Sequence, residues 1–419
     1  MGAERSGAGA ARVVVVGAGF AGLAVADGLA GGPVAVTLVD RHVYTTFQPL
    51  LYQVATAGLN PGDVAFSTRA FVRSRRAVDF RQGELVGMDP VARQVTLDDG
   101  SVLPYDCLVL AFGATTSYFG VRGAAERSMA IYTLDDAIGV RERSVALLER
   151  ASAHGAGSGE LRVVIVGGGA TGVEMAGTLA ELGAVTLARD YPHVDPSLAE
   201  VVLVEQQDRL LGGFHERLGA YALEALRRRG VRVRLGETVA EVMDHKVRLS
   251  SGEELRSGMV VWAAGVAVGD VAGKLGLPQE RGGRISVEQD LSVKGHPEVF
   301  AVGDVAAARD RHGHTLAQLA QPAIQAGAHA ARQILALQAG RRTEPFRYRE
   351  KGAMATIGRR AAVAQLPAGI HLTGTVAWLA WLALHLVTLL GVRNRLAVLT
   401  SWAWRYLSWH RGPRIILGG

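Results

Sequence analysis

The chain has 419 residues, 45 basic and 39 acidic side chains, a formal net charge of +6 and a single cysteine. That length supports two or three domains with substantial cores. The lone Cys107 excludes an internal disulfide framework, a cysteine metal cluster or a redox-active cysteine pair within one chain, and so disfavours flavoenzymes that work through paired thiols.

Met1 to Arg12 is Gly/Ala-rich, has no apolar signal core and leads straight into an apolar strand, Val13 to Val16. At its end stands Gly17-Ala18-Gly19-Phe20-Ala21-Gly22. In a G-x-G-x-x-G fingerprint the first glycine allows the tight strand-to-helix turn and the second lets a pyrophosphate approach the backbone. The third lets helix and strand pack closely. A lone fingerprint is weak in a Gly/Ala-rich chain, but here an alternating run, Val34 to Val39, follows and ends in Asp40. An acid about 20 residues on is where a ribose hydroxyl is held. A nucleotide-free sheet with a glycine-rich turn is the bland alternative.

Next come Phe47-Gln48-Pro49-Leu50-Leu51-Tyr52-Gln53-Val54-Ala55, Arg-rich segments and alternating strands near Glu84 to Leu97. Tyr105 to Leu110 reads as a buried strand with Cys107 as an inert core thiol, and it ends in Ala111-Phe112-Gly113-Ala114. His154 to Glu160, polar and Gly/Ser-containing, marks a domain crossing. A second strand, Val163 to Val166, then runs into Gly167-Gly168-Gly169-Ala170-Thr171-Gly172. Its acid, Glu205, stands at the end of Glu200 to Val204, after an excursion through Arg189 to Pro196. Glu205 would grip ribose hydroxyls and repel an added phosphate, and Gln206 and Gln207 offer that phosphate no cation.

Val260-Val261-Trp262-Ala263-Ala264-Gly265 echoes the earlier strand and small-residue turn, so the two units form an internal repeat at domain scale. Val299-Phe300-Ala301-Val302-Gly303-Asp304 places a carboxylate and an open backbone where a cofactor's ribityl chain or phosphate passes. Ala320-Gln321-Pro322-Ala323-Ile324-Gln325 opens a helix continuing through Leu337, with Pro322 at home in the first turn. A helix start aimed at a flavin ring favours negative charge there.

The tail differs from the rest. From Arg341 to Gly419 there are 12 basic and 2 acidic residues, net +10, against net −4 elsewhere, and nothing acidic follows Glu350. It holds Trp378, Trp381, Trp402, Trp404 and Trp409, five of the six tryptophans. A basic, acid-free, Trp/Leu-rich segment reads as one that meets an anionic membrane surface, and its aliphatic stretch argues against nucleic acid. Thr375 to Leu390 sits near the ~18-residue length of a spanning helix. With the second apolar segment, Leu396 to Trp409, it is expected to form a helical hairpin in one leaflet; a spanning helix and a buried core helix are the alternatives.

Together these pieces resemble the two-dinucleotide flavoprotein oxidoreductases and, more narrowly, the type II NADH:quinone oxidoreductases, with a tail like the actinobacterial form. The marks are Phe47 to Ala55, the Ala-Gln-x-Ala-x-Gln match at Ala320 to Gln325, and the Trp/Arg-rich tail. The resemblance implies an α/β protein of two Rossmann-like domains, the second inserted in the first, plus a C-terminal helical membrane-surface segment. Residues 1–155 with 290–340 would bind FAD, 156–289 NADH, and 341–419 the membrane.

It implies FAD on Gly17, Gly19, Phe20, Ala21, Gly22, Asp40, Arg41, Gln53, Gly113, Gly303, Asp304, Ala320 and Gln321. NADH is implied on Gly167, Gly169, Ala170, Thr171, Gly172, Glu174, Glu205, Ala264 and Gly265, with Glu174, Gln321 and Gln325 in the catalytic roles and no metal. Glu174 is otherwise a first-turn acid stabilising a helix start. Menaquinone or ubiquinone would bind beside the flavin near Gln321 and Gln325, on the cytoplasmic face of the cell membrane, in a chain that could form a homodimer. Phe112 departs from the family, where a small or hydroxyl residue precedes Gly113, which puts substrate preference in doubt. The rival readings are a reductase with a soluble or protein acceptor and a non-catalytic membrane-bound flavin/NADH sensor.

Overall fold

The structure, a computed structural model, describes residues 9–408, and the chain divides into two compact units. The first eight residues, Trp409 and all that follows lie outside the described residues, as do the side chains from Arg405 on.

The first unit comprises residues 9–45, 66–115 and 266–350. Six strands form one sheet, in the order Ser292–Val293, His296–Ala301, Cys107–Leu110, Ala11–Val16, Val34–Asp40 and Val78–Gln82. All neighbours are parallel except the antiparallel pair Ser292–Val293 and His296–Ala301. The central strands are Val/Leu runs because a parallel sheet is covered on both faces. Cys107 is a buried thiol, pushed up to about 11 by burial, in keeping with an inert core residue. The helices Phe20–Leu29 and Ala320–Gln338 approach closely because Gly327 lacks a side chain: a Cβ there would meet the Ala21 carbonyl at 2.2 Å.

The second unit comprises residues 46–65, 116–265 and 351–408. Its parallel sheet runs Met129–Ala130, Met259–Trp262, Val163–Val166, Val201–Glu205 and Arg232–Leu235. The 21-residue helix Ala170–Asp190 follows the Val163–Val166 strand. The expected α/β fold with Rossmann-like parallel sheets and C-terminal helices is the one found.

Residues after 350, expected to be helical, open instead with an antiparallel sheet, Ala353–Gly358, Ala361–Leu366 and Ile370–Thr373. Its alanine-rich strands hide the usual β-branched signal. Gly177 lets the Ala170–Asp190 helix touch this sheet, since a Cβ there would lie 1.8 Å from the Ile357 carbonyl.

Two helices follow, Gly374–Thr388 and Val392–Ser408. Ala377 and Trp378 pack on Ala362 and Ala364 of the sheet. No helix among the described residues is long and apolar enough to cross a membrane. The 15-residue Gly374–Thr388 helix rises only about 22 Å, short of a ~30 Å hydrocarbon core. The spanning alternative is thereby excluded for it, and the buried-core alternative holds for one of its faces only.

Candidate functional site

The first fingerprint is built as its sequence demands. Gly17 adopts φ +107°, in the region L side chains rarely enter, and a Cβ there would meet the Ala111 carbonyl at 2.4 Å. A Cβ on Gly22 would lie 1.7 Å from the Gly17 carbonyl, so helix and turn touch. Gly19 faces open space, with nothing within 4 Å of a Cβ, which is the ground a pyrophosphate needs. Asp40 reaches back to this loop, accepting from Ala18 N–H at 2.6 Å and from His42 N–H at 2.8 Å.

The second fingerprint repeats the first almost atom for atom. Gly167 has φ +108°, and its Cβ would meet the Ala263 carbonyl at 2.6 Å; Gly172 would strike the Gly167 carbonyl at 1.9 Å; Gly169 is open. Glu205 accepts from Gly168 N–H at 2.5 Å and from Gln207 N–H at 2.7 Å. The long excursion before Glu205 therefore leaves its geometry unchanged. Both loops fit a dinucleotide: each keeps its middle glycine open and its strand-end carboxylate at the loop.

In the first unit Gly303 takes φ +75°, with a Cβ 2.9 Å from that of Ala21, so the Gly303–Val305 turn lies against the fingerprint helix. Arg284, which the sequence reading missed, braces this turn by donating to the carbonyls of Ala306 and Leu316, each at 2.8 Å. The two glutamines of the Ala320–Gln325 motif part company. Gln325 is tied to the backbone of Arg349, donating to its carbonyl at 2.9 Å and accepting its N–H at 3.0 Å. Gln321, one turn earlier, holds a buried side-chain oxygen without a hydrogen-bond partner among the described residues. A buried acceptor left unmatched costs about 1–3 kcal/mol, so Gln321 fits a residue completed by a ligand donor. Gln325 fits a positioning role.

In the second unit Glu174 is buried, and its one described hydrogen bond is to Thr356 N–H at 3.2 Å. Burial without a cation pushes its carboxyl up to about 8, against a small lowering by that N–H, so it holds a proton at pH 7. The Thr356 hydroxyl bonds the Tyr52 hydroxyl at 2.9 Å; Gln53 donates to Tyr52 at 2.9 Å and accepts from the Trp402 indole at 2.7 Å. Gln53 thus has both ends of its amide engaged inside this unit, although the resemblance implied it for FAD. Sequence reasoning named Tyr52 and Trp402 only as parts of the Phe47 to Ala55 segment and the tail and missed Thr356, because the Gln53–Trp402 link joins positions 349 residues apart and leaves no local pattern.

Both loop geometries and the sheet that carries each define a two-dinucleotide oxidoreductase. The pyridine nucleotide-disulphide oxidoreductase family model matches residues 11–327, and the NDH2 C-terminal domain model matches residues 351–408. The chain is 39% identical to NdhA, a type II NADH:quinone oxidoreductase of Mycobacterium tuberculosis, over 97% of this chain and 89% of that protein. It is 36% identical to Ndh, the type II NADH:quinone oxidoreductase of the same organism, over 97% and 90% of the two chains. In fold it matches the solved structure of NDH2 from Plasmodium falciparum in complex with NADH, with a TM-score of 0.89 at 20% identity over 97% and 99% of the chains. The chain belongs to the type II NADH:quinone oxidoreductases.

The state of Glu174 has a consequence for stability. Its folded pKa lies above the ordinary 4.5, so between about pH 4.5 and 8 the folded chain keeps a proton that the unfolded chain has released. This contribution is complete below pH 4.5 and is lost as pH rises through 8. The melting midpoint should therefore fall more steeply with rising pH in the wild type than in Glu174→Gln. Parallel pH profiles by calorimetry would show that the carboxyl does not titrate in this range.

Proposed function

We propose that this chain takes hydride from NADH on the Gly167–Gly172 loop, holds FAD on the Gly17–Gly22 loop, and reduces a quinone of the menaquinone or ubiquinone type at the inner face of the cell membrane. The observation that carries this is the doubled loop-and-carboxylate geometry, together with the unmatched oxygen of Gln321. FAD, when bound, accepts hydride and passes electrons on in pairs.

The protein binds, orients and manages protons. Asp40 and Glu205 present carboxylates to ribose hydroxyls, and Glu205 repels the extra phosphate of NADPH. Gln321, in the first turn of Ala320–Gln338, is positioned to accept from a ligand where the helix start carries a partial positive charge. Glu174 keeps a proton available to a reduced acceptor, while Thr356 N–H fixes the orientation of Oε1.

Attachment to the membrane rests on the outward faces of the last two helices. Gly374–Thr388 is apolar all round: one side seats on the sheet, while Val376 (63% exposed), Leu379 and Val387 face outward. Val392 and Leu396 continue that surface on the next helix. A helix apolar on both sides in a soluble protein leaves an unburied face, and a lipid surface covers it. The basic residues of the tail suit an anionic leaflet. His385 does not interrupt this face: burial pushes its imidazole down to about 4, and it stacks neutral on Trp381 at 3.8 Å.

Three measurements test this reading. Glu205→Gln should raise the KM for NADH and narrow the preference over NADPH by about tenfold or more, one charged hydrogen bond being worth about 1.5–3 kcal/mol; an unchanged preference removes Glu205 from the ribose. Gln321→Leu should slow the quinone half-reaction in stopped-flow experiments and spare the NADH half-reaction. If the NADH half-reaction fails instead, Gln321 is misassigned. Val376→Glu with Val387→Glu should release the protein from anionic vesicles while dye reduction by NADH persists. A double variant that still floats with vesicles refutes the membrane face, and one that only converts a dimer to a monomer assigns that face to a homodimer.

A further inference from the structure

The Tyr118–Val121 turn of the second unit carries a side chain that its backbone does not favour. Val121 N–H donates to the Tyr118 carbonyl at 3.0 Å, and both central residues have positive φ, Phe119 at +51° and Gly120 at +71°. Turns with positive φ at both centres are ordinarily made from Gly, Asn or Asp. A bulky aromatic there is an outlier that costs folding energy. Burial does not offset that cost, since Phe119 is 67% exposed.

The flanks of the turn fix where the ring stands. Trp262 Nε1 donates to the Ser117 carbonyl at 2.8 Å, Ser117 N–H donates to the Gly265 carbonyl at 3.0 Å, and the Tyr118 ring meets that of Trp262 at 5.7 Å. On the far side Val242 N–H donates to the Arg122 carbonyl at 2.9 Å. Between these anchors the tip of the Phe119 ring rests on Gly265. A Cβ there would lie 2.8 Å from the ring's Cζ, so a side chain at 265 would displace it.

Gly265 follows the strand Met259–Trp262, and its neighbour Ala264 supplies the Cα that a Cβ on Gly167 would meet at 2.7 Å. The ring therefore stands at the carboxyl end of the parallel sheet beside the fingerprint, where such sheets bind their ligands. Strand order sets which half of a dinucleotide it faces. Val163–Val166 has Val201–Glu205 on one side and Met259–Trp262 on the other. With the adenosine ribose at Glu205 and the pyrophosphate at Gly169, the nicotinamide half continues past the end of Met259–Trp262, toward Gly265 and Phe119.

We infer that Phe119 is a binding residue for NADH, its ring forming a wall against which the nicotinamide half of the coenzyme packs. This rests on the placement of NADH at the Gly167–Gly172 loop proposed above. An aromatic face suits a flat heteroaromatic ring, and a wall already fixed by its turn loses little freedom on binding.

The test titrates NAD+ and ADP-ribose, which differ by the nicotinamide, into the full-length, FAD-loaded protein in a calorimeter. Phe119→Asn removes the ring and supplies a residue the turn accepts. It should weaken NAD+ about tenfold and leave ADP-ribose within about twofold of wild type. Its melting midpoint should equal or exceed that of wild type, because the backbone strain is relieved. In steady state the loss should fall on KM for NADH and not on kcat, and Phe119→Tyr, which keeps the ring, should bind NAD+ as wild type does. Full NAD+ affinity in Phe119→Asn overturns the wall, and with a lowered melting midpoint it assigns the ring to folding instead. Equal losses for NAD+ and ADP-ribose overturn it too, since the turn would then support the whole loop. Glu205→Gln serves as the control: if it leaves ADP-ribose affinity unchanged, the placement of NADH at this loop fails, whatever Phe119 does.

Discussion

In each unit a carboxylate at the end of the second strand of the fingerprint reaches across the sheet to the N–H just after the first glycine, from Asp40 to Ala18 and from Glu205 to Gly168. This charge-assisted bond clamps a loop whose first glycine sits near φ +107° and whose third touches the first at under 2 Å from a notional Cβ. The clamp decides what the loop can offer. With the first and third glycines consumed by packing, the middle one stays open, and in the function proposed above the carboxylate that holds the loop is the same one that would meet the ribose. In that proposal recognition and local folding draw on one interaction, and a side chain at the first or third glycine would disrupt both.

How far this was legible depended on range. The fingerprints, their strands and both acids were readable because strand, turn and helix each carry a local pattern, and the sequence distance to Glu205 proved irrelevant once strands Val163–Val166 and Val201–Glu205 paired in register. The C-terminal sheet was not readable: Ala361-Ala362-Val363-Ala364 lacks the bulky β-formers, and its place is fixed by packing under Trp378 and against Gly177. The two glutamines of Ala320 to Gln325 looked alike in sequence. Only the fold separates them, because the partner of Gln325 is backbone supplied 24 residues later by Arg349.

The tail shows how composition becomes placement. Its tryptophans split by role: Trp378 and Trp381 go inward, the latter edge-on to Tyr52, and Trp402 is buried with its indole on Gln53, while Trp404 stays exposed. Aromatic enrichment read as a membrane belt is therefore partly an internal anchor. These rings fasten the two helices to the same unit that carries Glu174, and the aliphatic residues between them supply the outward surface.

The buried chain from Trp402 to Glu174 constrains how protons move. An indole N–H only donates, so Trp402 fixes which end of the Gln53 amide is its oxygen, and the amide nitrogen must then donate to Tyr52. Neither an indole nor an amide exchanges its proton readily, so the stretch from Trp402 to Tyr52 orients and does not conduct. The two hydroxyls, Tyr52 and Thr356, are the members of this chain able to pass a proton, and its described link to Glu174 runs through the Thr356 backbone N–H, which cannot. The hydrogen-bonded chain serves to hold the strand Ala353–Gly358 and the last helix in fixed register with that carboxyl. A group kept neutral by burial needs such support, since a carboxyl that could rotate toward water would ionise.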